Sequence, residues 1–289
     1  MRDKIIVLGA SGYIGSILMR ELPKFHDDVV GITRKVLHDL TDYEAFHKYI
    51  KSLEGEKITV VNCAASGAKQ FLGSYDKDQL WNNLKINDNI LRCQYNWHTY
   101  INIGSGSEFD ISSRGICDVK EGEFYDCLPK DSYGLSKNLI ARSIGDNRLG
   151  LNLRLFGCFD HTEPSFRFLK TCVTKCLSGE PIVIPKDRLF SWISGIDLAQ
   201  VISQLITDTN MFSHIYDLNC AYNNKMLLSE MAYHVSRIFG SGINIKIENK
   251  FDKEYSCDSY LLTSECKLPY GLEESIEHYV NEFKNYLKF

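Results

Sequence analysis

Tyr133 and Lys137 stand four residues apart in the run Ser132-Tyr133-Gly134-Leu135-Ser136-Lys137, and Ser105 lies 28 residues before that tyrosine, just past the apolar run Tyr100 to Ile103. On a helix, residues four apart leave one face one turn apart. A free phenol titrates near ~10 and exchanges protons poorly at neutral pH. A lysine cation one turn away favours the phenolate and eases that exchange. A serine hydroxyl brought alongside would hold a substrate oxygen in place for the transfer. The same spacing also describes a packed tyrosine beside an exposed lysine, so the elements that position the set decide its meaning.

The first of these elements is the β-rich run Lys4 to Leu8, apolar on both faces as a central parallel strand requires. It ends in Gly9-Ala10-Ser11-Gly12-Tyr13-Ile14-Gly15, followed by the helical pattern Ile17, Leu18, Leu22. Strand, glycine turn and helix in that order let the backbone approach a pyrophosphate at the positive end of a helix. The glycine spacing is GxxGxxG. In this the chain resembles the extended short-chain dehydrogenase/reductases, the NAD-dependent epimerase/dehydratase family, whose members act on nucleotide sugars.

The resemblance implies an α/β fold, a Rossmann-type doubly wound parallel sheet with a smaller C-terminal α/β substrate lobe. It implies a cofactor on Gly9, Ser11, Gly12, Tyr13, Ile14 and Gly15. A second strand, Asp28 to Thr33, ends where the fold reads the adenosine ribose; Thr33, Arg34 and Lys35 stand there in place of an acid, which favours NADP(H), with NAD(H) the alternative. Asp39 and Leu40 match the adenine contacts. Thr59 to Ala65 reads as the fourth strand, with Ala64 and Ala65 small enough for a ring to approach. The short gap from Arg34 to Asp39 is similar to that of compact reductases of the GDP-fucose synthase type. A helix from Gln79 to Tyr95 carries a broad apolar stripe; its family counterpart joins the Tyr133 helix in a four-helix homodimer interface, and core packing within one subunit is the alternative.

Phe109 occupies the family's strand-end tyrosine, which makes Ser105 the catalytic hydroxyl beside Tyr133 and Lys137. Lys137 would also bind the nicotinamide ribose. The substrate-side set is Ser105, Ser107, Glu108, Tyr133, Arg167 and Arg188. Leu151 to Phe159 resembles the LRxxNVYGP segment, with Gly157 in place of Asn and Asp160-His161 in place of Gly-Pro; His161 reads as a loop residue and Arg154 as structural. The Arg expected seven residues before Asp197 is Phe190 here, and Arg188 lies on the same strand face two residues earlier. The nucleotide-binding domain is expected at 1–159, with 190–220 returning to it, and the substrate lobe at 160–189 and 221–289.

The residues after Ser105 sort the chemistry. Dehydratases of the family place Asp and Glu there, because elimination needs its own acid and base; Gly106 and Ser107 stand instead. Epimerase/reductases of the GDP-fucose synthase type use a Cys two residues on and a lobe His. Here the residue is Ser107, whose hydroxyl does not ionise near neutral pH to act as a base as a thiol can, and Ser165 to Lys170 contains no His. Hydride transfer to C4 of a nucleotide-linked 4-keto-6-deoxy sugar or 4-keto heptose remains, without 3,5-epimerisation. A 4-epimerase with bound NAD uses the same three residues, and a non-catalytic NADP sensor needs only the glycine loop.

The bulk composition agrees with an ordinary globular enzyme. A net charge of -4 offers no general attraction to nucleic acid or anionic membrane. No apolar run reaches the ~18 residues of a membrane span, and the first residues lack a signal-peptide pattern, so a cytoplasmic location is expected. The ten cysteines are irregularly spaced; Cys172 and Cys176, one helical turn apart, lack partners for a metal site, and no metal is expected.

Overall fold

The computed structural model describes residues 3–53, 57–66, 78–94, 97–110, 115–148, 150–208, 215–249 and 254–286. Its strands are, in chain order, β1 (Asp3–Leu8), β2 (Val29–Ile32), β3 (Lys57–Asn62), β4 (Thr99–Ser105), β5 (Ile116–Val119), β6 (Leu151–Leu155), β7 (Gly157–Phe159), β8 (Ile182–Ile184), β9 (Leu189–Ser194), β10 (Asp217–Cys220), β11 (Lys225–Leu227), β12 (Ile245–Ile247) and β13 (Tyr255–Cys257). Six of them form a parallel sheet in the order β10-β6-β4-β3-β1-β2. The chain winds outward in both directions from β1, so the switch point lies between β1 and β3, where such sheets open a crevice at their carboxyl ends.

Side-chain alternation divides the core across this sheet. Ile5 and Val7 face one layer, packed with Leu18 and Leu22 and with Leu198, Val201 and Ile202 of the helix Gly195–Thr207. Ile6 and Leu8 face the other, with Phe46, Ile50, Ile90, Ile140 and Ile144 from the helices Tyr43–Lys51, Gln79–Arg92 and Ser132–Asn147. The doubly wound α/β fold expected from the sequence is therefore the fold of the chain. The segment read as a fourth strand is β3: among the described residues no strand intervenes between β2 and β3.

Strand pairing draws a finer division than a boundary at residue 159. The second sheet has the order β11-β9-β13-β5, with β7 beside β9. It therefore takes 116–119 and 157–159 from the first segment and 189–194 from the second, while Gly195–Thr207 and β10 return to the main sheet. The helices Phe168–Ser178, Leu228–Phe239, Tyr260–Glu265 and Leu272–Tyr286 complete the lobe. Cys172 and Cys176 are buried in its core. Tyr95, the end read for the helix that starts at Gln79, lies outside the described residues.

The helix Gln79–Arg92 differs from its reading. Its buried face is carried largely by Gln79, Asn83, Asn87 and Asn89, and Trp81 is 70% exposed. Asn83 donates to Ser136 Oγ at 3.0 Å and Asn87 to Ser143 Oγ at 3.0 Å, so side-chain hydrogen bonds join it to the Tyr133 helix within one subunit.

Candidate active site

Gly9 follows β1 with φ +71°, and a Cβ there would stand 2.8 Å from the Ala64 backbone. At Gly15 a Cβ would lie 2.2 Å from the Gly9 carbonyl oxygen. Both positions require the bare backbone. Gly12 donates its N–H to Gly9 O at 2.9 Å and, as the N-cap of the helix Tyr13–Glu21, brings no side chain to cap it. This cradle fits a pyrophosphate, which accepts from first-turn amides at the positive end of a helix. Ser11 is exposed at its tip, and Tyr13 and Ile14 are half-buried.

Beyond β2, Thr33 Oγ1 accepts from Lys35 N–H at 3.3 Å, leaving Arg34 and Lys35 exposed. The Asp39 carboxylate accepts from Thr41 N–H at 2.8 Å, a bond that holds it below the usual carboxylate range. The Leu40 carbonyl accepts from Asn89 at 2.9 Å. After β3, Ala64 N–H donates to Asn62 Oδ1 at 3.1 Å, and Ala65 is exposed. Cys63 beside them is a neutral thiol, pushed up to about 12 by burial.

Ser105 ends β4 and opens the turn Gly106–Glu108: its Oγ accepts from Ser107 N–H at 3.2 Å, while Glu108 Oε1 accepts from Ser105 N–H at 2.7 Å. Asp131 caps the helix Ser132–Asn147, accepting from Gly134 N–H at 2.8 Å. A Cβ on Gly134 would stand 2.5 Å from the Ser107 carbonyl, so the glycine after Tyr133 lets the helix end press onto the serine turn. One turn later Lys137, 4% exposed, donates to Ile103 O at 2.6 Å, with Nζ 5.9 Å from the centre of the Tyr133 ring. Ser105, Tyr133 and Lys137 thus meet at the carboxyl end of β4.

Residues 5–221 match the NAD dependent epimerase/dehydratase family. The chain belongs to that family. A curated relative, CDP-abequose synthase of Yersinia pseudotuberculosis, is 25% identical over 224 residues, covering 72% of this chain and 74% of the relative. Among solved structures, GDP-mannoheptose C4 reductase from Campylobacter jejuni with NADP bound superposes with a TM-score of 0.82 at 18% identity, covering 98% of each chain. A GDP-D-glycero-L-gluco-heptose synthase from the same organism, solved in the presence of NADPH, gives a TM-score of 0.82 at 18% identity over 98% of each chain. At that identity the structures establish the fold.

Against the family pattern, Glu108 is corrected from a substrate-side residue to an internal one. It is 0% exposed, and its Oε2 accepts from Arg154 Nε at 2.6 Å and Asn152 Nδ2 at 3.0 Å. Arg154, equally buried, also donates to Asn219 at 2.9 Å and Asp217 at 2.7 Å, in keeping with its structural reading. Arg167 donates to Glu163 at 3.1 Å and to the Cys158 carbonyl at 2.7 Å, and its guanidinium lies 5.0 Å from the Tyr13 ring centre. It clasps the glycine loop to the lobe. Arg188 precedes β9 and is half-buried. His161 Nδ1 lies 3.0 Å from the Glu282 carboxylate.

Two features escaped the sequence reading. Asn62, Asn102 and Asn152 share a register across β3, β4 and β6, linked by bonds of 3.0 and 2.7 Å, and Asn152 donates on to Asp217 at 2.9 Å. A polar residue inside each of three apolar runs was the available signal. The other is Tyr255, whose strand pairs it with Ile116 and Phe190. Its phenol oxygen lies 2.6 Å from where a Cβ on Gly106, the residue between Ser105 and Ser107, would stand, near enough for both serines and Tyr133 to act on the phenol electrostatically.

Proposed function

We propose that the chain reduces C4 of a nucleotide-diphosphate-linked 4-keto-6-deoxy sugar or 4-keto heptose with NADPH, in the making of surface polysaccharide sugars and without 3,5-epimerase activity. GDP is the slightly favoured nucleotide. The observation that carries this reading is the sequestration of Glu108. It is the only carboxylate in the Gly106–Glu108 turn, and Arg154 and Asn152 hold it away from the cleft. Elimination or epimerisation at a neighbouring carbon needs a further acid and base. Reduction needs one proton.

The Gly9–Gly15 loop would hold a nicotinamide cofactor and Arg34 would pair with its ribose phosphate; when bound, that cofactor would supply the hydride for C4. The Ser105 hydroxyl donates a hydrogen bond to the ketone oxygen, and Tyr133 passes its phenolic proton to the alkoxide that forms. Lys137, fixed by the Ile103 carbonyl, holds its positive charge behind that phenol. Oriented donors at a developing oxyanion contribute ~3 kcal/mol each. Arg188 is assigned to the substrate diphosphate, and a homodimer through the two helices Gln79–Arg92 and Ser132–Asn147 is part of the same reading. No helix among the described residues is long and apolar enough to cross a membrane, which agrees with cytoplasmic action on a soluble nucleotide sugar.

The test is absorbance-monitored NADPH oxidation with freshly prepared GDP-, CDP- and dTDP-linked 4-keto-6-deoxy sugars and the corresponding keto heptose, each repeated with NADH. Rapid oxidation with one of them and a preference for NADPH is expected. No oxidation, together with NAD retained in the purified protein, would replace the reductase with a 4-epimerase.

A further inference from the structure

Tyr255 reaches the serine turn from the far end of the chain. Its strand, β13, is held between β5 and β9, and the Cys257 amide donates to Ser191 Oγ at 3.0 Å. The ring is wedged against Phe190 and Phe156, with centroids 5.3 Å away in each case. Its oxygen lies 2.6 Å from where a Cβ on Gly106 would stand, so only glycine at 106 admits this phenol over the turn. The hydroxyl thus stands over the residue between Ser105 and Ser107, near enough for both serines to act on it.

Hydrogen-bond inventory gives the arrangement a direction. A serine hydroxyl has one proton and two lone pairs. One lone pair of Ser105 is taken by the Ser107 amide at 3.2 Å. Without a second donor, the Ser105 hydroxyl can rotate its proton away from the substrate. Desolvation holds the Tyr255 phenol above its ordinary range, so it keeps its proton.

We propose that Tyr255 is a positioning residue for Ser105: it accepts from the Ser107 hydroxyl and donates to Ser105 Oγ, so that the Ser105 proton is left for the substrate ketone oxygen. Because Tyr255 rides on the lobe's sheet, the serine is oriented only when that sheet is seated against the turn. Phe190, standing where the family carries an arginine, supplies the apolar wall that holds the ring.

This assignment rests on the reductase reading, and a double-mutant cycle separates the two. Turnover of the wild type, Tyr255→Phe, Ser105→Ala and the double variant is compared, with NADPH binding by fluorescence and the melting temperature measured on each. Tyr255→Phe should lower kcat roughly 10- to 100-fold with NADPH affinity and melting temperature nearly unchanged, less than the roughly 100- to 1,000-fold lost when an oriented donor is itself removed. In the Ser105→Ala background the same change should cost less than twofold. An equal loss in both backgrounds, or an unaltered kcat in the single variant, overturns the proposal. If the wild type interconverts 4-epimers with bound NAD, the reductase reading falls, and the cycle followed by epimer formation judges Tyr255 by the same two outcomes.

Discussion

At the scale of single residues, the proposed reaction asks some side chains to face the substrate and others to hold them. Tyr133→Phe removes the transferable proton while keeping the ring; turnover should fall by at least ~100-fold with NADPH binding retained, as a fluorescence titration beside steady-state rates would show. Arg34→Ala removes an exposed cation from the β2 turn, and KM for NADPH should rise roughly tenfold while that for NADH stays put; equal changes in both would remove Arg34 from cofactor choice. Glu108 makes the opposite point. Its carboxylate is the counter-ion of a guanidinium with no solvent access, and breaking such a pair from one side costs about 3–5 kcal/mol. Glu108→Gln should therefore lower the urea midpoint sharply, whereas a residue that merely lined the substrate cleft would change KM and leave the midpoint alone.

At the scale of elements, the decisive joint is the docking of the Tyr133 helix on the serine turn. The helix starts at an Asp131 cap, and its third residue is a glycine pressed to 2.5 Å, measured from an ideal Cβ, against the Ser107 carbonyl. Gly134→Ala must push the two apart. Displacement of about 1 Å between reacting groups costs on the order of 100-fold in rate. The expected result is a loss of kcat of that size with a smaller loss of NADPH affinity, because the glycine loop lies on other elements and only Lys137 of the cofactor set rides on this helix. Helix propensity alone would make this alanine a stabilising change, so the sign of the effect on the melting temperature reports whether the contact or the propensity dominates. The sheet itself makes a similar joint: the asparagine row of β3, β4 and β6 ties the Ala64 amide at the cofactor end to Glu108 and Arg154 below the serine turn.

At the scale of the whole molecule, the lobe is fastened to the nucleotide domain by charge as well as by apolar packing. Arg20 pairs with Asp160 at 2.5 Å, and Glu163 joins Arg167, the Lys170 amide and the Tyr279 hydroxyl beside the glycine loop. Burial pushes the Glu163 carboxyl up to about 7, against the pull of Arg167. Raised in the folded state, this group binds more protons there than in the unfolded chain between about pH 4.5 and 7. Its contribution to stability is complete below that window and is lost as pH rises through it. The melting temperature of the wild type should therefore drop between pH 5 and 8 by more than that of Glu163→Gln, whose curve lacks this component; parallel curves would show that Glu163 ionises normally. What the sequence by itself determined is what is local in the chain: β1 from its unbroken apolar run, the glycine cradle from its spacing, and the four-residue spacing that puts Tyr133 and Lys137 on one helix face. Each is set by backbone sterics or by side-chain periodicity within a few residues. Only the tertiary structure decided that Glu108 turns inward, that Asn83 and Asn87 bury a polar helix face, that β5, β7 and β9 share a sheet, and that Tyr255 arrives over Ser105. Those outcomes depend on which distant groups satisfy one another once water is excluded, and a buried charge or amide finds its partner by packing rather than by its place in the chain.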